Sequence, residues 1–161
     1  MIYNGNDIEK LYQDSLSEAY DKLSSIMVVE GRKLKIKGLN GTIYEQVIRY
    51  CLFKELQAIG LVTTMDEQRT LDKFVIDLSV NNKIDIEIKA GGIFSKDGMV
   101  KYERYRTRIE QDGHNYFYVT RSESYKPYEL KTILAFGQDR AFFLNKDGEW
   151  ERFVKEVKNL L

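Results

Sequence analysis

Four side chains in the stretch VIDLSVNNKIDIEIKAGG, residues 75–92, have the types and spacing to do chemistry: Asp77, Asp85, Glu87 and Lys89. Carboxylates on neighbouring strands supply oxygen ligands to a hard divalent cation such as Mg²⁺, which keeps several waters of its own. A lysine on the same face can orient a metal-bound water or stabilise negative charge developing on a phosphate. The pattern Glu-x-Lys alone carries little, because it also occurs at Glu129–Lys131 and Glu156–Lys158. Only the first copy sits among Ile residues, opposite a second run that carries an acid.

Register decides whether these groups meet, since a slip of one residue turns every side chain of a strand to the other face. A two-residue loop at Asn81 and Asn82 places Leu78 opposite Asp85 and Ile76 opposite Glu87, mixing apolar and charged groups. A three-residue loop, Asn81 to Lys83, is also a common hairpin length, and asparagine tolerates the left-handed conformation it needs. Val80 then meets Ile84, Leu78 meets Ile86 and Ile76 meets Ile88 on one face. Ser79 meets Asp85, Asp77 meets Glu87 and Val75 meets Lys89 on the other. Opposed acids with Cβ atoms ~5 Å apart destabilise a sheet unless a cation compensates. Two readings of this face stand: a solvated side of an amphipathic hairpin, or a metal site.

The elements that would hold the hairpin follow from periodicity. Ile8, Leu11, Tyr12, Leu16, Ala19, Tyr20, Leu23, Ile26 and Met27 recur at steps of three and four and predict an N-terminal helix over 7–28. KLKIKG reads as a short strand, residues 43–59 as a second helix ended by Gly60, and LVTT as a short strand followed by a polar loop through Arg69. After the hairpin, KYERYRTRIEQDG reads as a helix stopped by Gly113, with Val100, Tyr105 and Ile109 inward and Tyr102 as a further candidate. NYFYVTR reads as a strand, Pro127 opens a short helix, RAFFLN is a strand and EWERFVKEVKNLL a closing helix. The expected architecture is α/β, a mixed sheet flanked by helices, in one domain spanning 1–161. Its core is expected over about 42–121 and its C-terminal strand and helix within 122–161.

Composition limits the classes. The chain has 161 residues, 43% hydrophobic and 31% charged, and no apolar run approaches the ~18 residues of a membrane span. Asp7, Glu9 and Asp14 argue against a targeting segment at the start, so a cytoplasmic location and no membrane partner are expected. Cys51, alone of its type, reads as core filler. The net charge is zero, yet residues 89–108 hold six basic side chains against two acidic ones. Such a run faces either phosphate or water.

At Asp77 and at Glu87-Ile88-Lys89 the sequence resembles the PD-(D/E)xK nuclease superfamily, the restriction-endonuclease-like fold, whose core runs αβββαβ. VID stands for the first half of the motif, with Ile76 in place of proline, and EIK for the second. The resemblance covers about residues 42–121 and rests on element order plus three side chains. It implies that Asp77, Glu87 and the Ile88 carbonyl bind Mg²⁺, with Mn²⁺ able to substitute, and that Lys89 orients the attacking water. Glu45, in the preceding helix, is the match for a further metal-site glutamate. It also completes a capping box with Thr42, and the two roles compete.

The resemblance implies a metal-dependent DNA endonuclease, of the type II restriction kind and homodimeric. Alternatives are a structure-selective nuclease resembling a Holliday junction resolvase or a phage or repair nuclease, and a nuclease-like module that binds nucleic acid without cutting it. Asp85 reads as a solvated or supporting carboxylate. Lys101, Arg104 and Arg108, at i, i+3 and i+7 with Arg106 alongside, form a stripe suited to a duplex or branched DNA backbone or to water. His114, without a histidine or cysteine partner, reads as structural or surface. The NYFYV run reads as core packing rather than a base-stacking platform.

Overall fold

The computed structural model describes residues 1–30, 38–93, 95–123 and 126–161, with 25–30 as backbone only. The strand expected at KLKIKG falls outside the described residues. Helix α1 (Gly5–Glu30) starts two residues before the expected position, because Asn4 and Asp7 cap each other: each side chain accepts the other's backbone N–H at 3.0 Å. Helix α2 (Leu39–Ala58) follows, then β1 (Met65–Leu71), β2 (Phe74–Val80), β3 (Ile84–Lys89), α3 (Lys96–Gln111), β4 (Asn115–Thr120), α4 (Lys126–Phe136), β5 (Ala141–Phe143) and α5 (Glu149–Leu160).

The five strands form one mixed sheet in the order β1-β2-β3-β4-β5. The first three are antiparallel, whereas β3, β4 and β5 run parallel through the helical crossovers. Helices cover both faces. On one, α1, α2 and α5 pack Ile8, Tyr12, Tyr44, Ile48, Leu52, Trp150 and Phe153 against Leu78, Val80, Ile84, Ile86, Ile88, Phe117 and Phe142. On the other, α3 and α4 pack Met99, Tyr102, Ile109 and Phe136 against Ile76, Tyr116, Tyr118 and Phe143. Cys51 and the NYFYV aromatics are buried, as expected. Among the described residues no helix is long and apolar enough to cross a membrane.

Several local expectations are corrected. Residues 61–64 form no strand; the first strand is Met65–Leu71, which takes in the polar segment through Arg69 expected as a loop. It lies at the sheet edge, mostly solvent-facing, where alternating apolar residues are not required. Val100 is 45% exposed, and Met99 takes its inward place because α3 begins at Lys96, where Ser95 Oγ accepts the Gly98 N–H at 3.0 Å. Helix α2 begins at Leu39 after Gly38 (φ 92), and Thr42 Oγ donates to the Gly38 carbonyl. Glu45 therefore stands in the second turn, and the capping box is not formed.

Candidate metal centre

The hairpin adopts the three-residue-loop register: Val80 pairs with Ile84, Ser79 with Asp85 and Leu78 with Ile86, with Asn81 and Asn82 at φ 50 and 52. The ladder then stops. The expected Asp77–Glu87 and Ile76–Ile88 pairs are not formed, because Asp77 Oδ2 itself accepts the Ile88 N–H at 2.8 Å. On the other side, β1 pairs Glu67 with Leu78 and Arg69 with Ile76 but leaves Asp77 out, at the level where Gln68 is left-handed (φ 51). Asp77 thus sits in neither ladder, at a point where β2 turns over. Leu78 belongs to the α2 side of the sheet and Ile76 to the α3 side, so Ile76 and Ile88 lie on opposite faces.

A cleft of about 370 Å³ opens at this split, lined by Thr42, Glu45, Gln46 and Arg49 of α2, Glu67 and Gln68 of β1, Asp77 and Leu78 of β2, and Ile88 of β3. The α2 residues follow i, i+3, i+4, i+7 and so share one helical stripe. Glu45, released from a capping role, accepts from Gln68 Nε2 at 3.3 Å. Its carboxyl is raised above the ordinary range by burial, with Lys89 opposing and the charges of Glu87 and Glu67 adding. The Asp77 carboxyl is pushed up to about 7, first by burial, then by the charge of Glu87; the Ile88 N–H and Lys89 act in the opposite sense. Glu45, Asp77 and Glu87 are therefore close enough to repel one another's charge, and the donor set is short of positive charge. A divalent cation would supply it.

Glu87 and Lys89 approach the same split from the α3 side. Lys89 Nζ lies 2.8 Å from Glu87 Oε1, which also accepts from Tyr102 Oη at 2.9 Å, while Tyr116 Oη donates to Oε2 at 3.3 Å. Glu87 is 3% exposed, which corrects the solvated-face reading of this side of the hairpin. An unpartnered buried carboxylate costs several kcal/mol, and the lysine and two hydroxyls offset that cost. Burial alone would lower the Lys89 pKa, but the charge of Glu87, 2.8 Å away, outweighs it and holds the ammonium protonated. Burial and then the Glu87 charge raise Tyr102 and Tyr116, keeping both phenols neutral donors.

Asp85 is not solvated either. It is 0% exposed and forms a buried cluster with Arg69, whose Nη2 donates to Oδ2 at 2.5 Å, and with His114, whose Nδ1 lies 3.0 Å from the same oxygen. With Nδ1–H donating to Asp85, the 3.3 Å approach of Arg69 Nη2 to that nitrogen sets donor against donor and is not a hydrogen bond. His114 is structural, as one of its two readings held. The cluster lies at the hairpin-loop end of β3, away from the cleft.

The basic stripe of α3 is divided. Lys101 and Arg104 are exposed, with Lys101 Nζ 5.2 Å from the ring centres of Tyr102 and Tyr105. Arg106 is turned inward, to Glu110 at 2.8 Å and the Ala135 carbonyl at 3.0 Å. Arg108 is held by Asp72 at 2.7 Å and Asp112 at 2.5 Å.

Among the described residues no three His, Cys, Asp or Glu side chains are gathered as a ready-made ligand set. The structure brings Asp77, Glu45 and Ile88 to one cleft and keeps Glu87 with Lys89 beside it. Sequence reasoning missed Gln46, Arg49 and Gln68 in the cleft and the tyrosine pair behind Glu87. The stripe from Thr42 to Arg49 was readable from spacing once Glu45 was placed at the site. Comparison with protein-family models, with curated proteins and with solved structures finds no match.

Proposed function

We propose that the chain is a metal-dependent endodeoxyribonuclease of restriction-endonuclease-like fold, hydrolysing phosphodiester bonds at the split between β2 and β3. The observation that carries the reading is Asp77: it leaves both ladders, caps the Ile88 amide, and shares a cleft with Glu45 next to the Glu87–Lys89 pair. Asp77, Glu87, Glu45 and the Ile88 carbonyl would hold Mg²⁺ or Mn²⁺, and the bound ion would supply polarisation of the phosphoryl oxygen and relief of the leaving-group charge. The chain's own groups do the rest. Lys89, kept protonated by Glu87, donates hydrogen bonds to the attacking water or to a phosphate oxygen and stabilises developing charge rather than abstracting a proton. Exposed Lys101 and Arg104 are free to meet the DNA backbone, whereas Arg106 and Arg108 serve α3 itself. One site per chain requires two copies to cut both strands of a duplex, hence a homodimer on a duplex or branched substrate.

A second reading draws on the tyrosines behind Glu87. With Tyr102, Tyr116 and Lys89 all bound to it, Glu87 is well satisfied without a metal, which favours a nuclease-like module that binds nucleic acid without cutting it. Incubation with supercoiled plasmid and with four-way junction DNA, in Mg²⁺, Mn²⁺ or EDTA, separates the readings. Wild type should cut one substrate only with metal, and Asp77→Ala and Lys89→Ala should not cut. Cleavage by the variants at the wild-type rate removes the proposed site, and DNA binding without cleavage supports the module. Cleavage confined to the junction identifies a structure-selective resolvase-like enzyme.

A further inference from the structure

The cleft beside Asp77 holds three carboxylates, Glu45, Glu67 and Asp77, but a single cation, Arg49, among its described lining residues. Arg49 Nε lies 2.9 Å from Glu67 Oε1, yet the two are not aligned: this N–H is buried without an acceptor. Glu67 Oε1 accepts instead from Gln46 Nε2 at 3.0 Å. The guanidinium is thus held to Glu67 by charge alone, and its side chain is 42% exposed at the cleft. Lys89, by contrast, is committed to Glu87 at 2.8 Å.

A guanidinium is planar, always charged and forked to match two phosphate oxygens, and one that lacks an aligned acceptor loses little on changing partners. We infer that Arg49 is a phosphate-positioning residue of this site: it leaves Glu67 to take the non-bridging oxygens of a substrate phosphodiester, with Glu67 and Gln46 holding its place when no substrate is bound. The inference rests on the nuclease reading for its substrate class, a nucleic-acid phosphodiester, but not on cleavage itself. The geometry favours it over a structural ion pair, since a structural pair would align Nε–H with the carboxylate it faces.

The test is binding of a fluorescent DNA duplex in EDTA across a salt series, with circular dichroism to confirm that each variant is folded. Arg49→Ala should weaken binding roughly tenfold and reduce the slope of log K against log salt by about 0.9, the loss of one phosphate contact. Arg49→Lys keeps the charge and should restore the slope while recovering only part of the affinity. Glu67→Gln releases the guanidinium and removes a repelling charge, so it should tighten binding a few-fold. An unchanged slope in Arg49→Ala, or weaker binding by Glu67→Gln, overturns the inference. Wild-type cleavage with an unchanged Arg49→Ala slope sinks this inference alone. The expected slope change without cleavage under any metal sinks the nuclease reading alone.

Discussion

Replacing Asp77 with asparagine should make the protein more stable at alkaline pH while abolishing any activity of the site. In the folded chain the Asp77 carboxyl is raised from 3.8 to about 7, by burial and by the charge of Glu87. That displacement of about three pKa units corresponds to ~4 kcal/mol at 1.36 kcal/mol per unit. Asp77 is partly exposed, so solvent screening brings the figure to about 2 kcal/mol. The sign follows from proton binding: the folded state holds this proton more tightly than the unfolded state does. The stabilisation is therefore complete below about pH 4, declines between about pH 4 and 7, and is lost above. Asparagine carries no charge and still offers an oxygen to the Ile88 N–H. Urea unfolding at low salt in EDTA should find wild type and Asp77→Asn nearly equal near pH 4 and the variant ahead by about 2 kcal/mol near pH 8. Saturating Mg²⁺ should close the gap by stabilising wild type alone. A variant that is less stable by the same amount at both pH values would show that Asp77 carries no buried, repelled charge, and the reasoning from an electrostatically deficient cleft would fall.

Two further outcomes test the surroundings of the site. Arg69→Met leaves Asp85 buried with only His114 beside it and should cost about 3 kcal/mol in urea unfolding, without moving DNA affinity; a cost below about 1 kcal/mol means the cluster is not holding the hairpin. Glu55, 4% exposed, accepts the Ile2 and Tyr3 amides at 2.8–3.0 Å and the Trp150 indole N–H at 3.3 Å. Glu55→Gln, which weakens these charge-assisted bonds, should cost about 1–2 kcal/mol and shift Trp150 fluorescence, while a spectrum identical to wild type contradicts the contact.

What was legible in the sequence was whatever local periodicity and pairing govern. The hairpin register followed from matching Val80, Leu78 and their partners Ile84 and Ile86, and the order of helices and strands after residue 43 matched. What failed depended on layers that a single segment does not encode. Met65–Leu71 escaped notice because an edge strand facing solvent on most of its length has no apolar alternation. The capping role of Glu45, one of its two competing readings, fails because it sets the helix start at Thr42, when Gly38 turns the chain four residues earlier. The solvated readings of Asp85 and of the face that carries Glu87 fail because nothing in the hairpin reveals that α3 and β4 will close over it. Their partners, Arg69, His114, Tyr102 and Tyr116, come from 15 to 29 positions away.

The two margins of the sheet have a bearing on how copies of the chain meet. One margin, β1, displays Asp66 and Glu67 and is interrupted by left-handed Gln68; the other, β5, is only three residues long. Charges, a broken hydrogen-bond row and shortness are each poor templates for a further strand. Sheet extension is thus disfavoured from either end, which protects the native chain against strand-to-strand aggregation and directs any pairing of two copies to helical surfaces.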